Sequence, residues 1–178
     1  LLFKEKPVFE LCGKNVLSAE EYQQSDIYFN NVTVNYGENV ILKNVNFKIP
    51  SGKTVALVGN SGSGKSTIIK LLARLVHPNA GKILIGGTDI LSLEIDQFRK
   101  NLAIVNQENI LFDDTIKENI FIGDLSVNEN SVIEAANNSY VSEFANNLPD
   151  RLETEVGPRG ERLSGGQRQR VNIGRALL

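Results

Sequence analysis

The 178-residue chain has no methionine and no tryptophan, and only one cysteine and one histidine. A single cysteine, Cys12, excludes an internal disulfide and fits a reducing compartment. Glycine (15) and proline (5) are too few for a collagen-like chain, and 41% hydrophobic residues are too many for a wholly disordered one. Long apolar runs are also missing. Each apolar stretch is broken by Lys, Arg or Gly within a few residues, so no segment is expected to span a bilayer. Charge of one sign is scarce: 19 Lys+Arg against 21 Asp+Glu leave a net −2. That balance gives no general attraction for nucleic acid or anionic lipid, and no nucleic-acid partner is expected. Without methionine there is no initiator, and Lys4-Glu5-Lys6-Pro7 interrupts any secretory signal after Leu1-Leu2-Phe3. The expectation is a piece of a longer polypeptide. Asparagine is frequent, with pairs at Asn30-Asn31, Asn137-Asn138 and Asn146-Asn147, but too scattered to form a tract.

Periodicity orders the rest. Residues 1–25 lack a sustained pattern and read as a linker or peripheral segment. Ile27, Tyr28, Phe29, Val32, Thr33 and Val34 predict a strand bulged at the asparagine pair, and Tyr36-Gly37-Glu38-Asn39 a turn. Val45, Phe47 and Ile49 alternate with polar residues, the period of a half-buried strand, before a turn at Pro50-Ser51-Gly52-Lys53. Thr54–Val58 reads as a short buried strand. Ile68, Leu71, Leu72, Leu75 and Val76 then predict one helix, stopped at His77-Pro78. Lys82–Ile85 and Leu102–Val105 read as strands, and residues 115–122 and 131–147 as short helices.

Gly59-Asn60-Ser61-Gly62-Ser63-Gly64-Lys65-Ser66 satisfies G-x-x-x-x-G-K-[ST], between a predicted strand and an amphipathic helix. Binding a phosphate requires many donors in a small volume. Backbone N–H groups can supply them when Gly59, Gly62 and Gly64 keep side chains out of the way. Lys65 adds a point charge for the β- and γ-phosphates, and the Ser66 hydroxyl suits Mg²⁺. The helix N-terminus, with roughly half a positive charge, points at the same oxygens. Nucleotide binding is the expectation.

Leu163-Ser164-Gly165-Gly166-Gln167 carries a second signal. Ser164 and Gln167 make a capping box at a helix start, which leaves two glycines unexplained. Each costs a helix about 0.5–1 kcal/mol, a cost that makes sense where a phosphate must approach the backbone. Together with the phosphate loop, this segment resembles the signature of ATP-binding-cassette (ABC) proteins. Gln107, 42 residues beyond Lys65, resembles the family's Q-loop glutamine, which senses Mg²⁺ and the γ-phosphate. Tyr36, 23 residues before Gly59, resembles the A-loop aromatic that stacks on adenine. Asn109–Ile120 and Thr154–Gly160 resemble the segment after the Q-loop and the X-loop of multidrug-resistance-type exporters. Pro158 stands where those usually have Glu, and Gly174 where they usually have Ala.

The resemblance implies an α/β fold: a P-loop NTPase core with an N-terminal antiparallel β subdomain and a helical signature subdomain, spanning residues 26–178. It implies ATP and Mg²⁺ bound through Tyr36, Gly59, Asn60, Ser61, Gly62, Ser63, Gly64, Lys65, Ser66, Thr67 and Gln107. Ser164, Gly165, Gly166 and Gln167 would face the nucleotide of a second cassette, arranged head to tail. Transmembrane domains of the same or a partner chain would complete an exporter, with the cassette on the cytosolic or matrix side. The family's Walker B Asp, catalytic Glu and switch His belong beyond the signature helix, and Leu178 lies only 14 residues after Ser164. The 178 residues alone are therefore expected not to turn ATP over, and Val55, Leu57 and Val58 to lack cover. His77 and Cys12 receive no role. The alternatives are a soluble ABC ATPase of translation or DNA repair, and a cassette that binds ATP only as a regulator.

Overall fold

The computed structural model describes residues 13–124 and 126–178, so Cys12 lies outside the described residues. The chain forms two compact units that divide between Leu102 and Ala103.

The first unit is built on an antiparallel sheet. Strands β1 (Ile27–Tyr36), β2 (Asn39–Ile49), β3 (Ala80–Ile85) and β4 (Thr88–Asp89) lie in the order β2-β1-β3-β4. The predicted bulge is present: the β1–β2 register runs Ile27↔Ile49 to Phe29↔Phe47 and then shifts before Val32↔Val45. Asn31 takes a left-handed backbone (φ 51°) at that shift. Its N–H donates to Asn46 Oδ1 at 2.9 Å, and Asn46 Nδ2 donates to Asn31 Oδ1 at 2.9 Å. Asparagine side chains thus replace ladder bonds the bulge forfeits. Gly81, φ 81°, passes the bulge so closely that a Cβ there would lie 2.3 Å from the Asn31 carbonyl oxygen.

The period-2 pattern of β2 half-buries Val45, Phe47 and Ile49, and a register shift at the left-handed Asn44 (φ 47°) changes the phase so that Leu42 is buried. Phe47 stacks on Phe29 with centroids 4.2 Å apart. Phe29, Val32, Val34, Ile83 and Ile85 share a core with Ile68 and Leu71 of helix α2 (Lys65–Leu72). That helix ends a turn before the expected stop, leaving Leu75 exposed. The reason is a Schellman closure. Arg74 adopts φ 52°, its N–H donates to Leu71 O (3.0 Å), and the Leu75 N–H donates to Lys70 O (2.8 Å). Arg74 is buried and donates through Nη1 to Leu93 O at 2.8 Å.

Within the segment expected to be a linker, helix α1 (Ala19–Gln24) is nucleated by a Ser18/Glu21 capping box. Asn15 bridges to Leu93, and Tyr22 packs on Phe98 of helix α3 (Ile95–Lys100), a helix capped by the Glu94 carboxylate. Neither helix has the length for a visible apolar period.

Two predicted strands are absent. Residues 54–58 and 102–105 join no ladder among the described residues, and Val58 is 93% exposed. Their apolar, β-forming composition describes strands fit for burial, but a strand exists only with neighbours to bond. Val55 and Val58 lack cover as expected, but Leu57 does not: it is half-buried against the core of the first unit.

The second unit is helical: α4 (Ile116–Phe121), α5 (Glu129–Asn138), α6 (Val141–Ala145) and α7 (Gly165–Leu177). The region 131–147 is split where Tyr140 takes φ 60°. Ile116, Ile120, Val132, Val141, Val156 and Val171 are fully buried together. Lys117 joins three elements, reaching Glu129 at 2.6 Å and Glu153 at 3.0 Å. Gly174 packs against α4 and α5, where a Cβ would lie 2.9 Å from Ser139 Oγ. Among the described residues no helix is long and apolar enough to cross a membrane, and no His/Cys/Asp/Glu group could hold a metal ion.

Two stability predictions follow from the sheet. Gly81→Ala must push backbone against backbone at a left-handed position, so it is expected to cost more than the roughly 1 kcal/mol typical of that conformation. Gly37→Ala, where φ is 60° but nothing lies within 4 Å, should cost only about that 1 kcal/mol; urea midpoints compare them. Asp26 accepts from Lys48 Nζ (2.6 Å), Ser51 N (2.8 Å) and Tyr28 Oη (3.2 Å), and these bonds hold its carboxyl below the usual range. Its contribution is present above the unfolded value of about 3.9 and is lost as the pH falls through the lower folded value. Asp26→Asn should therefore flatten the acid limb of the melting-temperature profile and lower stability near neutrality.

Candidate functional site

The turn after β1 brings Tyr36 and Ile41 to one end of the sheet, because the two-residue Gly37-Glu38 loop pairs Tyr36 with Asn39. Tyr36 is exposed. It lines, with Ile41, Ser61, Gly62, Gly64, Lys65, Ser66 and Thr67, a cavity of about 380 Å³. The sequence separates Tyr36 from this loop by more than twenty residues, and the hairpin register brings them to one cavity. Ile41 was not foreseen. Its signal lies in the register: the short turn returns β2 alongside Tyr36.

The loop itself is open. Gly59–Ser63 are exposed, while Gly64 is buried against Leu42. Gly64 caps α2 at φ 86°, and a Cβ there would lie 2.5 Å from Leu42 Cδ2, so both space and backbone demand glycine. The left-handed step turns the chain sharply into the helix. It leaves the first-turn N–H groups of Lys65, Ser66 and Thr67 without intrahelical partners, and all three residues line the cavity. No acidic residue occupies that first turn. Lys65 Nζ donates to the carbonyls of Gly59 and Asn60, each at 2.7 Å, and to Ser63 Oγ at 3.3 Å. The ammonium thus sits over the loop, bonded to oxygens that a dianionic ligand would outcompete. Ser66 is exposed and Thr67 buried.

In the second unit, Gln107 is exposed and lines a recess of about 540 Å³ with Glu108, Asn109, Ile110, Pro158, Arg159, Glu161 and Arg168. Pro158 opens a short 3₁₀ turn to Gly160, following Gly157 at φ 72°. The capping box at α7 is formed as expected. Ser164 Oγ accepts from Gln167 N (3.2 Å), and Gln167 Oε1 accepts from Ser164 N (2.8 Å). Arg168 ties down the approach by donating to Leu163 O (2.6 Å) and Gly160 O (3.3 Å). Gly165 and Gly166 are exposed, and a Cβ on Gly166 would meet nothing within 4 Å. Packing within the unit therefore gives no reason for glycine there.

A glycine loop that caps a helix in the left-handed conformation, with a lysine at its first position, defines the P-loop class of nucleotide-binding proteins. The ABC transporter family model matches residues 42–178, and the chain belongs to that family. It is 42% identical over 184 residues to ABC transporter B family member 13 of Arabidopsis thaliana, covering 96% of this chain and 15% of that protein. It is 43% identical over 169 residues to ABC multidrug transporter mdr2 of Aspergillus fumigatus, covering 93% and 21%. Among solved structures it resembles a bacterial Atm1-family ABC exporter with ATP bound, at TM-score 0.85 and 40% identity over 93% of this chain and 29% of the other. The chain thus spans less than a third of the length of these relatives.

The open space at Gly166 makes a stability prediction that separates packing from ligand demands. Gly166→Ala is expected to stabilise the free protein by about 0.5–1 kcal/mol, because it improves helix propensity without a clash. A rise in melting temperature checks it, and a fall would show that the glycine serves the unit's own packing.

Proposed function

We propose that the chain is the ATP-binding and ATP-hydrolysing cassette of a membrane exporter. The observation that carries this reading is the Tyr36–phosphate-loop cavity, in which an exposed aromatic, a lysine ammonium and an open helix N-terminus line one space. Tyr36 stacks on adenine. The backbone N–H groups of Gly62, Gly64, Lys65 and Ser66 cradle the phosphates, and Asn60, Ser61, Ser63 and Thr67 complete the loop around them. Lys65 exchanges its bonds to Gly59 O and Asn60 O for phosphate oxygens. Mg²⁺, when bound, neutralises charge on the phosphates; the exposed Ser66 hydroxyl is the loop's hard-oxygen donor for it, and the exposed Gln107 of the second unit carries a carboxamide oxygen of the same chemical type.

Ser164, Gly165, Gly166 and Gln167 would complete the nucleotide site of a second cassette, the same or a related chain arranged head to tail. That role accounts for two exposed glycines at a helix start that nothing in the unit requires. Closure of the two cassettes on ATP would drive transmembrane domains of the same or a partner chain, from the ATP-rich face of the membrane. Hydrolysis belongs to the complete protein. The relatives' names, a multidrug transporter and an exporter, favour this reading over a soluble ATPase.

Mg·ATP at saturating concentration is expected to raise the melting temperature of the complete protein, since a ligand at about 100 times its Kd stabilises by about 2.7 kcal/mol. Lys65→Ala should weaken ATP binding by about tenfold or more, equivalent to about 1.4 kcal/mol. An unchanged melting temperature in the parent would overturn the reading.

A further inference from the structure

The second unit contains a polar clasp that none of the roles above uses. Asn119, on α4, has no solvent exposure, and every polar atom of its side chain is engaged. Its Oδ1 accepts from Phe112 N at 2.8 Å, and its Nδ2 donates to Phe112 O at 3.0 Å and Thr115 O at 2.9 Å. The side chain therefore pairs with both backbone groups of Phe112, as a neighbouring strand would.

Arg175 of α7 closes the clasp from the other side. Its Nη2 donates to Asn119 Oδ1 at 2.9 Å and its Nε to the Asn119 carbonyl at 2.8 Å, while the guanidinium lies over the Phe112 ring at 5.4 Å. One turn earlier on α7, Asn172 Nδ2 reaches Asn109 Oδ1 at 3.4 Å. Residues 172 and 175 are three apart and share a helix face, so α7 grips the Asn109–Phe112 segment at both ends. Gly123 allows the approach: a Cβ there would lie 2.2 Å from the Arg175 carbonyl oxygen.

The two ends of this clasp carry the unit's functional residues. Gln107 lies two residues before Asn109, and Ser164 caps the N-terminus of the same α7. We propose that Asn119 and Arg175 are positioning residues that fix the Gln107-bearing segment to the signature helix, so that a displacement of Gln107 is passed to Ser164–Gln167. Arginine suits the position because its fork donates in two directions while its plane covers an aromatic face, which lysine cannot do. The proposal rests on the ATPase reading and adds a route between two of its parts.

The test uses the complete protein with Arg175→Gln and Arg175→Lys, followed by hydrogen exchange over residues 109–115 and steady-state ATP hydrolysis. For Arg175→Gln the expected results are about tenfold faster exchange at the Phe112 N–H and about tenfold lower kcat, with the KM for ATP within about twofold. Arg175→Lys, which keeps the charge and a single donor, should fall between it and the parent in both measurements. It also serves if Arg175→Gln does not fold.

Unchanged kcat in a folded variant with faster exchange would overturn the proposal, showing the clasp to be structural only. So would unchanged exchange. A rise in KM that accounts for the whole loss would assign Arg175 to nucleotide binding instead and would likewise overturn it. Failure of the underlying reading looks different: Lys65→Ala would then leave ATP binding intact in every background.

Discussion

A backbone that is to wrap an anion must keep its N–H groups unbonded and uncovered, which is the opposite of what folding rewards. The loop Gly59–Ser66 meets this constraint by leaning on the rest of the first unit. Gly64 is pressed on Leu42 of β2, Ile68 and Leu71 anchor the helix it opens, and the hairpin brings Tyr36 and Ile41 to the cavity's edge. The sheet's asparagine-bonded bulge and the Schellman closure at Arg74 fix the two elements that hold the loop. Lys65 bonded to two loop carbonyls keeps its charge at the mouth of the cavity.

The same logic reappears at α7 with a different solution. There the N-terminus is capped by its own Ser164 and Gln167, so fewer donors remain open and the glycines matter through the space they leave. The helix is held behind by the buried face of Val171 and by Arg175 on Asn119. A rigid helix body with a bare first turn is suited to meeting a ligand that comes from outside the unit. The family that the chain belongs to, and the role proposed for these glycines, join at this point.

Much of this was legible in the residues. The left-handed glycines Gly62 and Gly64 of the loop, the capping box at Ser164, the bulge at Asn30-Asn31 and the alternation of Val45, Phe47 and Ile49 are local patterns, and each is present in the structure. What the residues did not disclose was set by partners distant in sequence. Thr54–Val58 and Leu102–Val105 have the composition of core strands, but composition cannot supply a ladder neighbour. Leu75 and Val76 continue the apolar period of α2, yet a Schellman closure at the left-handed Arg74 ends the helix, and the Arg74 guanidinium is bonded to the distant Leu93. Asn119 reads as one more scattered asparagine, and only its burial among Phe112, Thr115 and Arg175 shows it as a junction. Ile41 joined the site through strand register alone.

The central claim is that the loop is a phosphate cradle whose lysine is held ready by its own carbonyls. A crystal structure of the complete protein with Mg²⁺ and a non-hydrolysable ATP analogue tests it most directly. The account predicts phosphate oxygens within hydrogen-bond distance of the backbone N–H groups of Gly62, Gly64, Lys65 and Ser66, adenine against Tyr36, and Lys65 Nζ moved from Gly59 O and Asn60 O to the phosphates. A nucleotide bound elsewhere, with Lys65 still bonded to those two carbonyls, would contradict it.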